Sequence, residues 1–105
     1  MNKTRNMVYT PSEEARELFI CVINNGDAYP HIQAIIKTLA KKLHKGIYDK
    51  DKAAEAYYHV ACEESERYHK DFGYRFTVTE RWTVAVDMEE YYYDHVVEKE
   101  EELNG

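Results

Sequence analysis

Ile32, Ile35, Ile36, Leu39, Ala40 and Leu43 recur at alternating steps of three and four, the period of one helix face and not of a strand. That stripe constrains the chain more than any other feature. A helix with one apolar face must bury it against another element. Gly26, Gly46 and Gly73 each follow a helix-periodic stretch, where a residue with positive φ commonly ends a helix. Three such stops predict four helices.

The starts agree. Thr10-Pro11-Ser12-Glu13 supplies a threonine N-cap, a proline at the first helical position and a glutamate at the capping-box position. The first helix is predicted over Pro11–Asn24, with Ala15, Leu18, Phe19, Val22 and Ile23 inward. Asn24-Asn25-Gly26-Asp27 forms a turn, and Asp27 or Tyr29 ahead of Pro30 opens the second helix. Asp49 caps a third, which puts Ala53, Ala54, Tyr57, Ala61, Ser65, Tyr68 and Phe72 on one side. Thr77-Val78-Thr79-Glu80 is a second capping box and begins a fourth, with Val78, Trp82, Ala85, Met88, Tyr92 and Val96 as its buried stripe. Tyr74-Arg75-Phe76 is too short for a sheet. The turns are only a few residues long, so the expected fold is all-α: a four-helix, bundle-like single domain over residues 1–105, with 1–9 and 98–105 flexible.

A chain of 105 residues supports one core, and 44% apolar residues suffice to fill it. The longest apolar run, Leu18–Ile23, is far below the ~20 residues of a membrane span. The polar N-terminus lacks a signal peptide's apolar stretch. Cys21 and Cys62 form no CxxC pair and read as reduced thiols, so a cytoplasmic setting is expected.

Charge is segregated. Residues 31–52 set Lys37, Lys41, Lys42, Lys45, Lys50 and Lys52 against Asp49 and Asp51, a balance of +4. Residues 53–105 set fourteen acids against five bases, a balance of -9. The bland reading of the acidic half is a solvated face that repels non-specific partners. The functional reading is a surface that docks on a basic, nucleic-acid-binding protein. Its candidate residues are Glu63, Glu64, Glu66, Asp87, Glu89, Glu90 and Asp94, joined by Tyr91 and Tyr93, with Glu98–Glu102 as a further cluster. Charge reversal at Glu63, Glu64, Glu89 and Glu90 is then expected to abolish binding. Direct binding to nucleic acid is disfavoured by the net charge of -6, and only the lysines of the second helix are candidates for it.

Tyr91-Tyr92-Tyr93 spans about 200° of a helix, so the three rings cannot share one core. Tyr57-Tyr58 poses the same problem. At least one ring of each cluster must be exposed or half-exposed, either flat on a neighbouring helix or free to meet a partner. Such a tyrosine face also suits self-association in a structural or assembly protein.

Glu55, His59, Cys62, Glu66 and His69 share one face of the third helix, and Glu66-x-x-His69 matches the E-x-x-H of di-iron bundles. That chemistry needs a second such motif and two more inward glutamates, which the other helices do not offer. A zinc site through His59, Cys62 or Glu63, and Glu66 is the lesser alternative to a solvated face. No G-x-S-x-G elbow and no glycine-rich phosphate loop occur, and neither cysteine has a histidine and an acid at interpretable spacing. The expected function is therefore not enzymatic, with no cofactor, no bound metal and no membrane partner.

Asn24-Asn25-Gly26-Asp27-x-Tyr29, Ile35-Ile36-Lys37-x-Leu39-Ala40-Lys41-Lys42, Lys45-Gly46-x-Tyr48-Asp49 with Lys52-Ala53, and Phe76-Thr77-Val78-Thr79-x-Arg81 follow in order. With the tyrosine-rich last helix, this set resembles small proteins encoded in phages, prophages and other mobile elements of Gram-positive bacteria. The resemblance supplies no active site. It implies a phage-like setting in a bacterial host cell, in which a small acidic protein inhibits a host protein. A nucleic-acid-handling defence enzyme is the expected target, as with anti-CRISPR proteins and DNA mimics.

Overall fold

The computed structural model describes residues 12–104, and four helices account for most of them: α1 (Glu13–Asn24), α2 (Tyr29–His44), α3 (Lys50–Phe72) and α4 (Val78–Asn104). Among the described residues there is no strand, and the all-α, bundle-like fold is the one the helical periodicity predicts. The N-terminal segment 1–9, expected to be flexible, and the Thr10-Pro11 cap lie outside the described residues. At the other end α4 continues through the acidic residues 98–102.

Ser12, not Thr10, caps α1. Its hydroxyl oxygen accepts from the Ala15 amide at 3.1 Å and donates to Glu80 Oε2 at 2.8 Å. α1 ends without a left-handed glycine, because Asn25 is extended and Gly26 does not adopt a positive φ. Asp27 does not cap α2 either. It belongs to the preceding turn, where its amide donates to Asn25 Oδ1 at 2.9 Å, and Ala28 stands at the cap without a side-chain bond. Asp49 caps α3 as expected, accepting from the Asp51 and Lys52 amides. Gly73 ends α3 at φ +78°, where a Cβ would be strained. The Thr77–Glu80 capping box forms in both directions: the Glu80 amide donates to Thr77 Oγ1 at 3.0 Å, and the Thr77 amide donates to Glu80 Oε1 at 2.9 Å.

α4 is the spine, with α3 packed along it most extensively and α2 next. Ser12 meets Glu80 and Phe19 meets Tyr91, so α1 runs parallel to α4. Tyr58 stacks on Trp82 at 4.0 Å between ring centroids while Lys50 approaches Glu89 and Glu90, so α3 runs antiparallel. The core joins Leu18 and Val22 of α1, Ile32, Ile36 and Leu39 of α2, Tyr57, Val60 and Ala61 of α3, and Val84, Met88, Tyr92 and Val96 of α4. Phe72 and Val78, expected inward, are exposed; Phe72 is the last residue of α3 and Val78 the first of α4. The Cα atoms span 45 × 38 × 17 Å, two helix layers at most, so every helix keeps a solvent face.

Candidate functional site

The acidic residues of α3 do not form one surface. Glu63 and Glu66 are exposed, whereas Glu64 is buried and accepts from Asn25 Nδ2 at 2.7 Å, which fastens the α1–α2 turn onto α3. Around them a groove of about 540 Å³ is lined by Glu63, Glu64, Glu66, Asp27, His31 and Arg67. Arg67 lies 3.7 Å from Asp27 across it. Glu64 is therefore removed from the candidate contact residues. It is a structural acceptor.

The second cluster divides in the same way. Glu89 is only 3% exposed and sits on the inward side of α4, where the Tyr48 hydroxyl donates to its Oε2 at 2.5 Å and Lys50 Nζ lies 4.0 Å from its Oε1. Burial and this bond to a carboxylate push the Tyr48 phenol far above its ordinary value, so the hydroxyl keeps its proton and the donor role. Glu89 too is removed from the contact set. Asp87 is half-buried, and its carboxyl is raised by burial and by neighbouring Glu90. Glu90 and Asp94 are exposed, and Lys50 reaches Glu90 at 3.8 Å.

The tyrosines separate as helix geometry requires. Tyr92 is buried, while Tyr91 and Tyr93 are 49% and 38% exposed. Tyr91 packs edge-on against Phe19 at 5.6 Å, and Tyr93 edge-on against Tyr48 at 5.6 Å, so both rings are braced from below and open above. They flank the outer face of α4 on either side.

Between them runs a row that composition alone does not single out. Glu90, Asp94, Glu98 and Glu101 are all exposed and fall within about 80° of arc, with a carboxylate every ~6 Å along the axis. Asp94, Glu98 and Glu101 make no ion pair among the described residues, whereas Glu102 is partly offset by Lys99 at 3.4 Å. Steps of four, four and three from Glu90 trace the row in the sequence.

On the opposite charge, Lys37, Lys41 and Lys45 of α2 are exposed. Lys42 and Lys52 rim a shallow groove floored by Ile35 and Leu39. The α3 row does not assemble into a metal site: among the described residues no group of three or more His, Cys, Asp or Glu side chains stands close enough to hold an ion. His69 is instead engaged by Arg75, with Nη2 and the ring Nε2 3.1 Å apart. Cys21 and Cys62 are free, and the Cys21 thiol is raised by burial and by Glu64 and Glu17, which leaves it a poor nucleophile at neutral pH. Among the described residues no helix is long and apolar enough to cross a membrane. No protein family, curated protein or solved structure matches this chain.

Proposed function

We propose that this chain is a non-catalytic binding protein whose α4 face docks on a basic, nucleic-acid-binding surface of a host protein and occludes it, in a phage or prophage setting. The observation that carries the reading is the row Glu90, Asp94, Glu98 and Glu101, flanked by Tyr91 and Tyr93. Four carboxylates on a rigid helix offer fixed charges at about 6 Å intervals, roughly half the axial charge density of one nucleic-acid strand. Braced tyrosines add contact area at little entropic cost. Glu63 and Glu66 are placed on a different helix and contribute a second, smaller acidic patch.

The test is capture from host lysate with the tagged protein at moderate salt, followed by competition. A single nucleic-acid-binding protein released by DNA or RNA is the expected result. A captured protein that nucleic acid does not displace refutes occlusion of that surface. Self-association through the Tyr91 side is the competing reading, favoured by the exposed Ile20, Tyr29 and Tyr91 side chains. It predicts a defined oligomer of this chain alone.

A further inference from the structure

Where α3 gives way to α4, a cavity of about 420 Å³ is lined by Ser65, Glu66, His69, Arg75, Phe76 and Arg81, with Thr77 and Val78 at its edge. The volume lies within the range of small-ligand sites, about 300–1,000 Å³. Its charge is unusual for this molecule. The chain carries 20 acidic against 14 basic side chains, so an arginine is expected to find a carboxylate. Neither Arg75 nor Arg81 makes an ion pair among the described residues. Arg75 spends its contact on the His69 ring at 3.1 Å, and Arg81 Nη1 donates to the Phe76 carbonyl at 2.9 Å. Arg81 also interacts with the Tyr58 and Cys62 side chains, and no carboxylate pairs with either guanidinium among the described residues.

The same walls hold two of the three buried side-chain polar atoms that lack a hydrogen-bond partner among the described residues, His69 Nδ1 and Arg81 Nε. A donor or acceptor shielded from water and unpaired costs about 1–3 kcal/mol. The end of α4 does not by itself make the site, because its Thr77 and Glu80 amides are already closed by the capping box. The positive charge comes from the two arginines. Exposed Glu66 sets one negative charge against the two guanidiniums, so the balance of these three at the cavity remains positive.

We propose that this cavity binds a phosphomonoester, with Arg75 and Arg81 on the phosphoryl oxygens and Val78 against the organic group. Guanidiniums suit this ligand because their planar donors match phosphate oxygens in pairs. Exposed Val78 supplies an apolar wall that bare phosphate would not use. The site is independent of the acidic face of α4.

The experiment is a titration of the full chain, followed by backbone amide NMR shifts, with phenyl phosphate, inorganic phosphate and, at matched ionic strength, sodium chloride. Saturable shifts confined to Ser65–Arg81, with phenyl phosphate binding more tightly than inorganic phosphate, are expected. Arg75→Gln, at an exposed position that leaves the fold intact, weakens binding about tenfold or more, the cost of one charge-assisted hydrogen bond. Lys70→Gln, an exposed cation outside the cavity wall, leaves it unchanged. Shifts no different from those with chloride overturn the proposal. So do shifts that Arg75→Gln and Lys70→Gln reduce equally, since that pattern marks a diffuse charge effect.

Discussion

Glu80 ties three segments together, and replacing it with alanine tests whether the fold is fastened where the geometry places the knot. Its Oε2 accepts from the Ser12 hydroxyl at 2.8 Å and from the Tyr74 hydroxyl at 2.9 Å, and its Oε1 accepts from the Thr77 amide at 2.9 Å. One side chain thus closes the α4 cap, joins the α1 cap to α4 and fixes the α3–α4 connection. The capping interaction contributes about 1 kcal/mol. The two tertiary bonds contribute roughly 0.5–1 kcal/mol each, at the low end because the site is partly open to water. Glu80→Ala is therefore expected to cost about 2–3 kcal/mol. Unfolding entropy near 2.1 cal/mol/K per residue converts that to a fall in Tm of about 10 °C for a domain of this length. Glu80→Gln keeps an acceptor but loses the charge and falls between the two. Exposed Glu98→Ala changes stability by less than about 0.5 kcal/mol.

The same residue gives a pH signature with a definite sign. Burial pushes the Glu80 carboxyl upward, but the bonds from Thr77, Ser12 and Tyr74 outweigh it and hold the group below its ordinary value of 4.5. A carboxylate depressed in the folded state adds stability that is complete above its unfolded value and is lost as pH falls through its folded value. The stability gap between the natural chain and Glu80→Gln, followed by urea unfolding, must shrink below about pH 4.5. A Glu80→Ala loss under about 0.5 kcal/mol, or a gap that widens in acid, refutes the assignment.

Two further substitutions probe the core and the turns. Tyr57 is fully buried and its hydroxyl has no partner among the described residues, so Tyr57→Phe is expected to hold or raise Tm, by up to about 1 kcal/mol in stability; a clear loss would reveal a bond the geometry does not contain. Gly73→Ala forces a Cβ onto φ +78° and costs about 1 kcal/mol, while Gly26→Ala, in open space and without a positive φ, costs almost nothing. Thermal melts of the two variants side by side check the contrast, and equal losses contradict it.

Much of the fold is legible in the chain. The α2 stripe, the Asp49 cap, the Gly73 stop and the Thr77–Glu80 box each rest on local rules, and local rules need no partner. At the first cap Thr10 and Ser12 both suit the role by local rules, and what favours Ser12 is a bond to Glu80, 68 residues away. Carboxylates are usually solvated, and that rule alone places Glu64 and Glu89 at the surface. Yet both stand on the apolar period: Glu64 follows Tyr57 and Ala61, and Glu89 lies between Ala85 and Tyr92. That spacing is the signal that places them inside. The partners that make burial tolerable, Asn25 and Tyr48, come from other elements and carry no such mark. The cavity at Arg75 and Arg81 was invisible for a related reason, since it exists only where α3 and α4 meet.

A basic partner on the outer face of α4 must lose affinity when the charge of that face is reversed. Glu90, Asp94 and Glu98 are exposed positions of the row; Glu64 and Glu89 are unsuitable, because reversing a buried carboxylate would damage the fold itself. The measurement is the affinity of the E90K/D94K/E98K variant for the captured host protein, across a salt series and beside the natural chain, with both checked for equal helicity. A loss of a hundredfold or more at low salt, with a shallower salt dependence, is the predicted result. Unchanged affinity and an unchanged salt slope in a folded variant would contradict the account.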